Sequence, residues 1–344
     1  MDAATRDAAR DAGNTQLADT GTTQTAPDSG SVTTDAGSDN AGAITLRKRI
    51  CGDTATWPAP LPQTRTASRV GTEQFDFIEG PVWIDALGVL LFSDMNFGGG
   101  NTQGPPSRIR RLQPPATFDV LVESANSNGL ALTLDGKVIA ATHDTQSLSL
   151  FDPASGARTK LDVKFDGKRF YSPNDLTVRS DGTVYFSDPD WQLGDRSAEI
   201  GKMGVYRVSP PVDTAGPHAA ILVDDTLDKP NGVLLSPDEQ TLYVGSSGSE
   251  LWKFPVNADG SLGGRTKFAD VGASDGMGID CAGNVYVASE TVEVFAPSGT
   301  KLGEITTNGS PSNVAFGGTD HKTLYITSGS ALFSIELMVP GFPY

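Results

Sequence analysis

From Leu176 to Phe186 apolar and polar residues alternate: Leu176 and Val178 share one face, Asp181-Gly182 offer a two-residue turn, and Val184 and Phe186 resume the alternation. This pattern predicts a β-hairpin, and it recurs. "EGPVWIDALGVLLFSD" starts at Glu79, "NGLALTLDGKVIAATHD" at Asn128, "NGVLLSPDEQTLYVGSS" at Asn231, "DGMGIDCAGNVYVAS" at Asp275 and "NVAFGGTDHKTLYITSGS" at Asn313. With Asn174 leading its own copy, the steps between leading residues are, by subtraction, 49, 46, 57, 44 and 38. A repeat of that length, holding two clear strands and room for two more, predicts one four-stranded blade per copy. No run of apolar residues at helical spacing competes, and 39 Gly and 22 Pro suit many short strands and turns. The fold expected is all-β, a six-bladed β-propeller over 70–340.

The pattern lapses at the N-terminus. Residues 1–45 are built of Asp, Ala, Thr and Gly with almost no large apolar side chain, so they cannot bury enough surface to offset their ordering entropy. A disordered acidic tail is expected there, followed by a strap over 46–69. Such a spacer resembles the tether of a bacterial lipoprotein, and a plain solvated terminus has the same composition. No stretch is apolar enough for a signal peptide or a transmembrane segment. Two settings therefore stay open: export (periplasmic, tethered or secreted) with the signal absent from this chain, or the cytoplasm.

Charge narrows the partners. Seven Asp against Arg6 and Arg10 give the tail −5, which leaves −11 of the total −16 on the remainder. So acidic a body repels phosphate backbones, and the one basic cluster, "LRKR" at 46–49, lies outside the repeats. Nucleic-acid binding is not expected, whereas divalent cations suit the charge; a monomer taking a small-molecule substrate is the simplest assembly. Cys51 and Cys281 stand in no CxxC arrangement, which excludes a thiolate zinc site. Either a disulfide from the strap to the fifth copy or two unrelated thiols would satisfy the sequence.

In a propeller the innermost strand of each blade lines the central channel. Glu79, Asn128, Asn174, Asn231, Asp275 and Asn313 all start such a strand, so they are expected to form one ring at one mouth. Two carboxylates and several amide oxygens around an axis are ligands for a hard divalent cation, most simply Ca2+, with Zn2+, Mn2+ or Mg2+ as alternatives. The returning strands end in Asp94, His143, Asp188, Ser246, Ser289 and Thr327, which are expected to surround the ring and to accept hydrogens from the ring amides. Two long loops on this face, 94–107 and 188–204, would shape specificity, the second bringing Trp191 to the mouth as an apolar wall.

The stretches "IEGPVW", "SPNDLTVRSDGTVYFSDP", "KPNGVLLSPDEQTLYV", "DGMGID" and "PSNVAFGG" resemble the gluconolactonase, senescence-marker-protein (regucalcin) and luciferin-regenerating-enzyme family, from about Phe75 to Leu337. The resemblance implies a six-bladed propeller with calcium or another divalent ion at the centre of one face, used to hydrolyse lactones. It implies Glu79, Asn231 and Asp275 as metal ligands and Asn174 as a residue facing substrate and at or near the metal. Two features depart from the family. "ATHDTQSLSLFD" keeps His143 but has no Arg near it, and Ser172 stands where one branch has an Arg, so two bidentate donors suited to sugars are missing.

A gluconolactonase-like hydrolase opening lactones or related esters at a divalent cation is therefore the expected function. Asp275, with His143 as the other candidate, would move the proton. Asn174, Asn128, Asp188 and Trp191 would contact substrate. A phosphotriesterase on the same cation, or a propeller that only binds calcium or a ligand, would use the same ring. No G-x-S-x-G elbow indicates a serine nucleophile.

Overall fold

The computed structural model describes residues 46–52, 56–99 and 102–343. The expected tail, residues 1–45, lies outside them. Six sheets follow in chain order, each an antiparallel meander whose first strand lies innermost. The inner strands are Ile78–Ile84, Ser127–Leu132, Leu176–Val178, Pro230–Leu235, Met277–Ile279 and Pro311–Gly317. The expected six-bladed propeller is what forms.

Its ends interlock. Ser68–Arg69 pairs antiparallel with Ala331–Glu336, Ser68 opposite Ser334, so a strand from the start of the described chain completes the last blade. That closure ties the start of the described chain to the last blade and so fastens the ring of blades. The third blade carries one extra outer strand, Asp162–Lys164, parallel to Pro217–Asp224.

The alternation seen in the sequence produces the packing. One face of each blade meets the next, and six apolar clusters fill the six gaps. Between blades two and three, for example, Ile139, Leu148 and Leu150 pack on Leu176, Phe186 and Tyr206. Phe170 meets Phe186 edge-on with ring centroids 4.9 Å apart. Such clusters fix the blades' angular spacing and thus the convergence of the inner strands.

The strap is not wholly extended, since residues 46–51 form a short helix. A helix there was not expected, and tertiary contacts hold it. Cys51 is bridged to Cys281, Cα–Cα 5.3 Å, which decides between the two cysteine readings. Arg47 lies over the Phe342 ring at 5.0 Å and its Nε donates to Pro343 O. Phe342 and Pro343 in turn line one end of a cavity of about 120 Å³ in the central channel, whose walls are Val82, Leu130, Leu176, Val233, Met277 and Val314. The C-terminal segment thus lines the channel away from the ring, and the helix packs on that segment through Arg47. Among the described residues no helix is long and apolar enough to cross a membrane.

Candidate active site

At the other mouth the inner strands begin irregularly. Pairing registers shift between Glu79 and Val82, Ser127 and Leu130, Pro230 and Val233, and Pro311 and Asn313. These bulges twist the strand starts and aim the ring side chains at the axis. A second device packs the blades closely there. Gly80, Gly129, Gly232 and Gly276 each follow a ring residue and touch the ring residue of the next blade. A Cβ on Gly232 would stand 2.3 Å from the Asp275 carbonyl oxygen, and one on Gly276 would stand 1.9 Å from Asn313 Cγ. The Glu-Gly, Asn-Gly and Asp-Gly pairs that open four of the six copies were the signal for this spacing.

The ring residues do converge. Asn313 Nδ2 donates to Glu79 Oε2 (3.0 Å), which also accepts the Gly80 amide (2.7 Å). Asn231 Nδ2 donates to Asp275 Oδ1 (2.7 Å). Glu79 and Asp275 lie near enough for the charge of one to bear on the other. Burial, then the Asp275 charge, push Glu79 well above the usual carboxylate range. Burial, with the Asp175 charge adding to it, pushes Asp275 to about 7 against the Asn231 and Glu79 hydrogen bonds. Asn128 is buried with its Oδ1 unpartnered, and Asn174 Nδ2 lies 3.5 Å from Gln192 Oε1.

This donor set fits a hard divalent cation. Two facing carboxylates without a cationic partner, a buried orphan amide oxygen and neighbouring Asn side chains supply neutral and anionic oxygens in the proportion a +2 ion takes. No cluster of three or more His, Cys, Asp and Glu poised for a metal occurs among the described residues.

The surrounding residues differ in detail from expectation. Asp94 and Asp188 do not hold the ring amides; they grip the backbone that leads into the ring. Asp94 accepts the Asp76 amide (2.8 Å) and the Arg110 guanidinium (2.9 Å). Asp188, fully buried, accepts the Tyr171 and Ser172 amides (2.9 and 2.8 Å), and burial pushes it well above the usual range. The physical reason is chain direction: the strand ends meet the preceding loop before they meet the axis. Thr327 comes closest to expectation, taking the Ser312 hydroxyl and donating to Asn313 O.

His143 is fully buried, its Nε2 donating to Pro105 O at 2.6 Å and its Nδ1 unpartnered; burial lowers it to about 4, so it is neutral at pH 7. Trp191 is half-buried, with Lys229 Nζ 6.0 Å from its ring and paired with Asp190. No Arg stands beside His143 in sequence, but Arg196 from the 188–204 loop reaches its backbone in space. Arg196 donates to the carbonyl oxygens of His143, Gln192 and Leu193, clipping the two loops together. A separation of 53 residues hid it.

Asp175, a third buried carboxylate beside the ring, was also missed. In the sequence it is one more polar letter after Asn174, with nothing to mark it as facing the axis.

Comparisons with known proteins agree with this geometry. The family described as "SMP-30/Gluconolactonase/LRE-like region" matches residues 77–330. A gluconolactonase of Zymomonas mobilis is 32% identical over 298 residues, 76% of this chain and 79% of that protein. The solved structure of a gluconolactonase from Xanthomonas campestris superposes with TM-score 0.68 at 31% identity, covering 83% of this chain and 99% of that one. Regucalcin of Agrobacterium tumefaciens, described as a calcium-binding protein, shares the fold at TM-score 0.63 and 20% identity, over 82% and 98% of the two chains.

Proposed function

We propose that this chain, which belongs to the SMP-30/gluconolactonase/LRE-like family, hydrolyses lactones or related esters at a divalent cation held by Glu79, Asn174, Asn231 and Asp275. The observation that carries the proposal is the facing pair Glu79 and Asp275, buried without a cationic side chain between them. Isolated buried charges of like sign are costly, and a cation between them removes the cost. Hard oxygen donors favour Ca2+, with Mg2+, Mn2+ and Zn2+ to be compared.

A bound cation would polarise the substrate carbonyl and stabilise the negative charge that gathers on its oxygen during attack. The protein's own groups do the rest. Asp275, only partly covered, would take the proton of the attacking water. Asn128, with an unpartnered oxygen, and Asn174 orient the substrate. Asp188 fixes the 171–172 backbone ahead of Asn174, and Trp191 supplies an apolar wall. His143 serves as a neutral, buried part of that wall. A monomer acting in an oxidising compartment accords with the Cys51–Cys281 bridge.

The test is turnover of a panel of aldonolactones, aryl esters and phosphotriesters by chelator-stripped protein, with each cation restored in turn. Cation-dependent opening of lactones is expected. Turnover of phosphotriesters alone, or turnover indifferent to chelator, would overturn the proposal.

A further inference from the structure

The residues that follow the ring are Gly80, Gly129, Asp175, Gly232, Gly276 and Val314. Four are glycine because the blades meet there at less than side-chain distance. The third blade breaks the series with a carboxylate, and 8% of Asp175 is exposed. Its Oδ1 accepts its neighbour's amide, Leu176 N, at 2.9 Å, and its Oδ2 accepts Val233 N of the fourth blade at 3.2 Å. Val233 closes the bulge that begins at Pro230 and carries Asn231.

The second blade makes room for this group. A Cβ on Gly129 would stand 2.6 Å from Asp175 Oδ1, so the carboxylate occupies the space a side chain there would fill. Asp175 lines the channel cavity beneath the ring, and its charge bears on both Glu79 and Asp275. Amides are its hydrogen-bond donors, and no ion pair to it occurs among the described residues. A buried carboxylate held only by amides keeps its charge uncompensated, which is costly unless a cation stands near.

We propose that Asp175 is a positioning residue of the cation site, tying the bulge that presents Asn231 to the third blade and adding a third negative charge beneath the ring. It touches neither substrate nor water. Its work is to hold Asn231 in register with Asp275 and to deepen the potential that draws the cation in. The inference rests on the cation site proposed above.

The experiment titrates Ca2+ by calorimetry into the chelator-stripped full chain, comparing wild type with Asp175→Asn and Asp175→Gly, and follows melting in chelator. Asn keeps an acceptor for Val233 N but drops the charge; Gly, which four other blades carry, drops both. Calcium affinity is expected to fall about tenfold or more in the Asn variant and further in the Gly variant. In chelator the Asn variant should melt no lower than wild type, since one buried charge has gone. A residue of merely structural importance would lower melting in chelator and leave the affinity of the folded protein unchanged. Unchanged affinity in both variants would therefore overturn the inference. A wild type that binds no divalent cation would instead overturn the cation site itself, and this inference with it.

Discussion

Asp275→Asn is expected to stabilise the chelator-stripped protein above neutral pH while weakening its hold on a cation. Asp275 gives up its proton at about 7 rather than 3.8, chiefly because burial disfavours its charge. A group bound more tightly to its proton when folded supports stability fully below the unfolded value and withdraws that support as pH rises through the folded value. Metal-free wild type should thus lose stability between about pH 4 and 7. At about 1.4 kcal/mol per tenfold in proton affinity the ceiling is roughly 4 kcal/mol. Because part of the Asp275 surface reaches the mouth, solvent screening trims this to roughly 2–3 kcal/mol.

Unfolding entropy near 60 °C is about 2.1 cal/mol/K per residue, so in a propeller of this size that energy corresponds to roughly 3–5 °C in Tm. His143 works the other way. Its value of about 4 rather than 6.5 makes stability rise with pH between those values, but it is present in both proteins and cancels in the difference. The assay is Tm in chelator at steps from acid to alkaline pH for both proteins. The gap should open on the alkaline side in favour of the variant, and saturating Ca2+ should reverse the order. Ligand at 100 times its Kd adds about 2.7 kcal/mol to the protein that binds it. Parallel pH profiles in chelator would refute the reasoning, since they would mean that Asp275 is ionised without cost.

Asn231→Asp adds a carboxylate of equal size to the ring, so calorimetry should show Ca2+ affinity kept or raised while lactone turnover falls, the extra charge blunting the cation's pull on the carbonyl. Gly232→Ala places a methyl 2.3 Å from the Asp275 carbonyl oxygen, backbone that cannot swing aside; a loss of about 1–3 kcal/mol in denaturant unfolding and a matching loss of Ca2+ affinity are expected. Reductant should lower Tm, because the Cys51–Cys281 bridge closes a sequence separation of 230 residues and such cross-links contribute about 2–5 kcal/mol. Cys51→Ser should remove the difference between reduced and oxidised samples. Asp188→Ala strips one buried and one part-buried amide of their acceptor, so a cost of about 2–4 kcal/mol is expected by calorimetry, with Asp188→Asn recovering part of it.

What could be read from the chain alone followed from what repeats. Alternation such as Leu176, Val178, Val184 and Phe186 recurs six times, and a pattern of period two in which each copy opens with an oxygen-bearing residue leaves few folds to choose among. The ring was legible for the same reason, since equivalent positions of a closed repeat must meet on its axis. What failed to show was set by contacts between copies. The helix at 46–51 exists because Cys281, Phe342 and Pro343 hold it, and none of them is near in sequence. Arg196 reaches the His143 carbonyl from the next blade's loop, 53 residues away in sequence. Asp94 and Asp188 had the right place and other partners, because side-chain type says that an oxygen will accept but not which amide arrives first.

Asp175 shows where the boundary falls. Its departure from the glycine series is visible in the letters, but the meaning of that series is a distance. Only once Gly80, Gly129, Gly232 and Gly276 are seen to let one blade touch the next does a carboxylate at the fifth such contact become an anomaly. A repeat enforces the average blade; the chemistry gathers where one blade is allowed to differ. In this propeller the third blade differs most, with its extra outer strand, its long mouth loop and its buried third carboxylate, and the asymmetry of the site is expected to originate there.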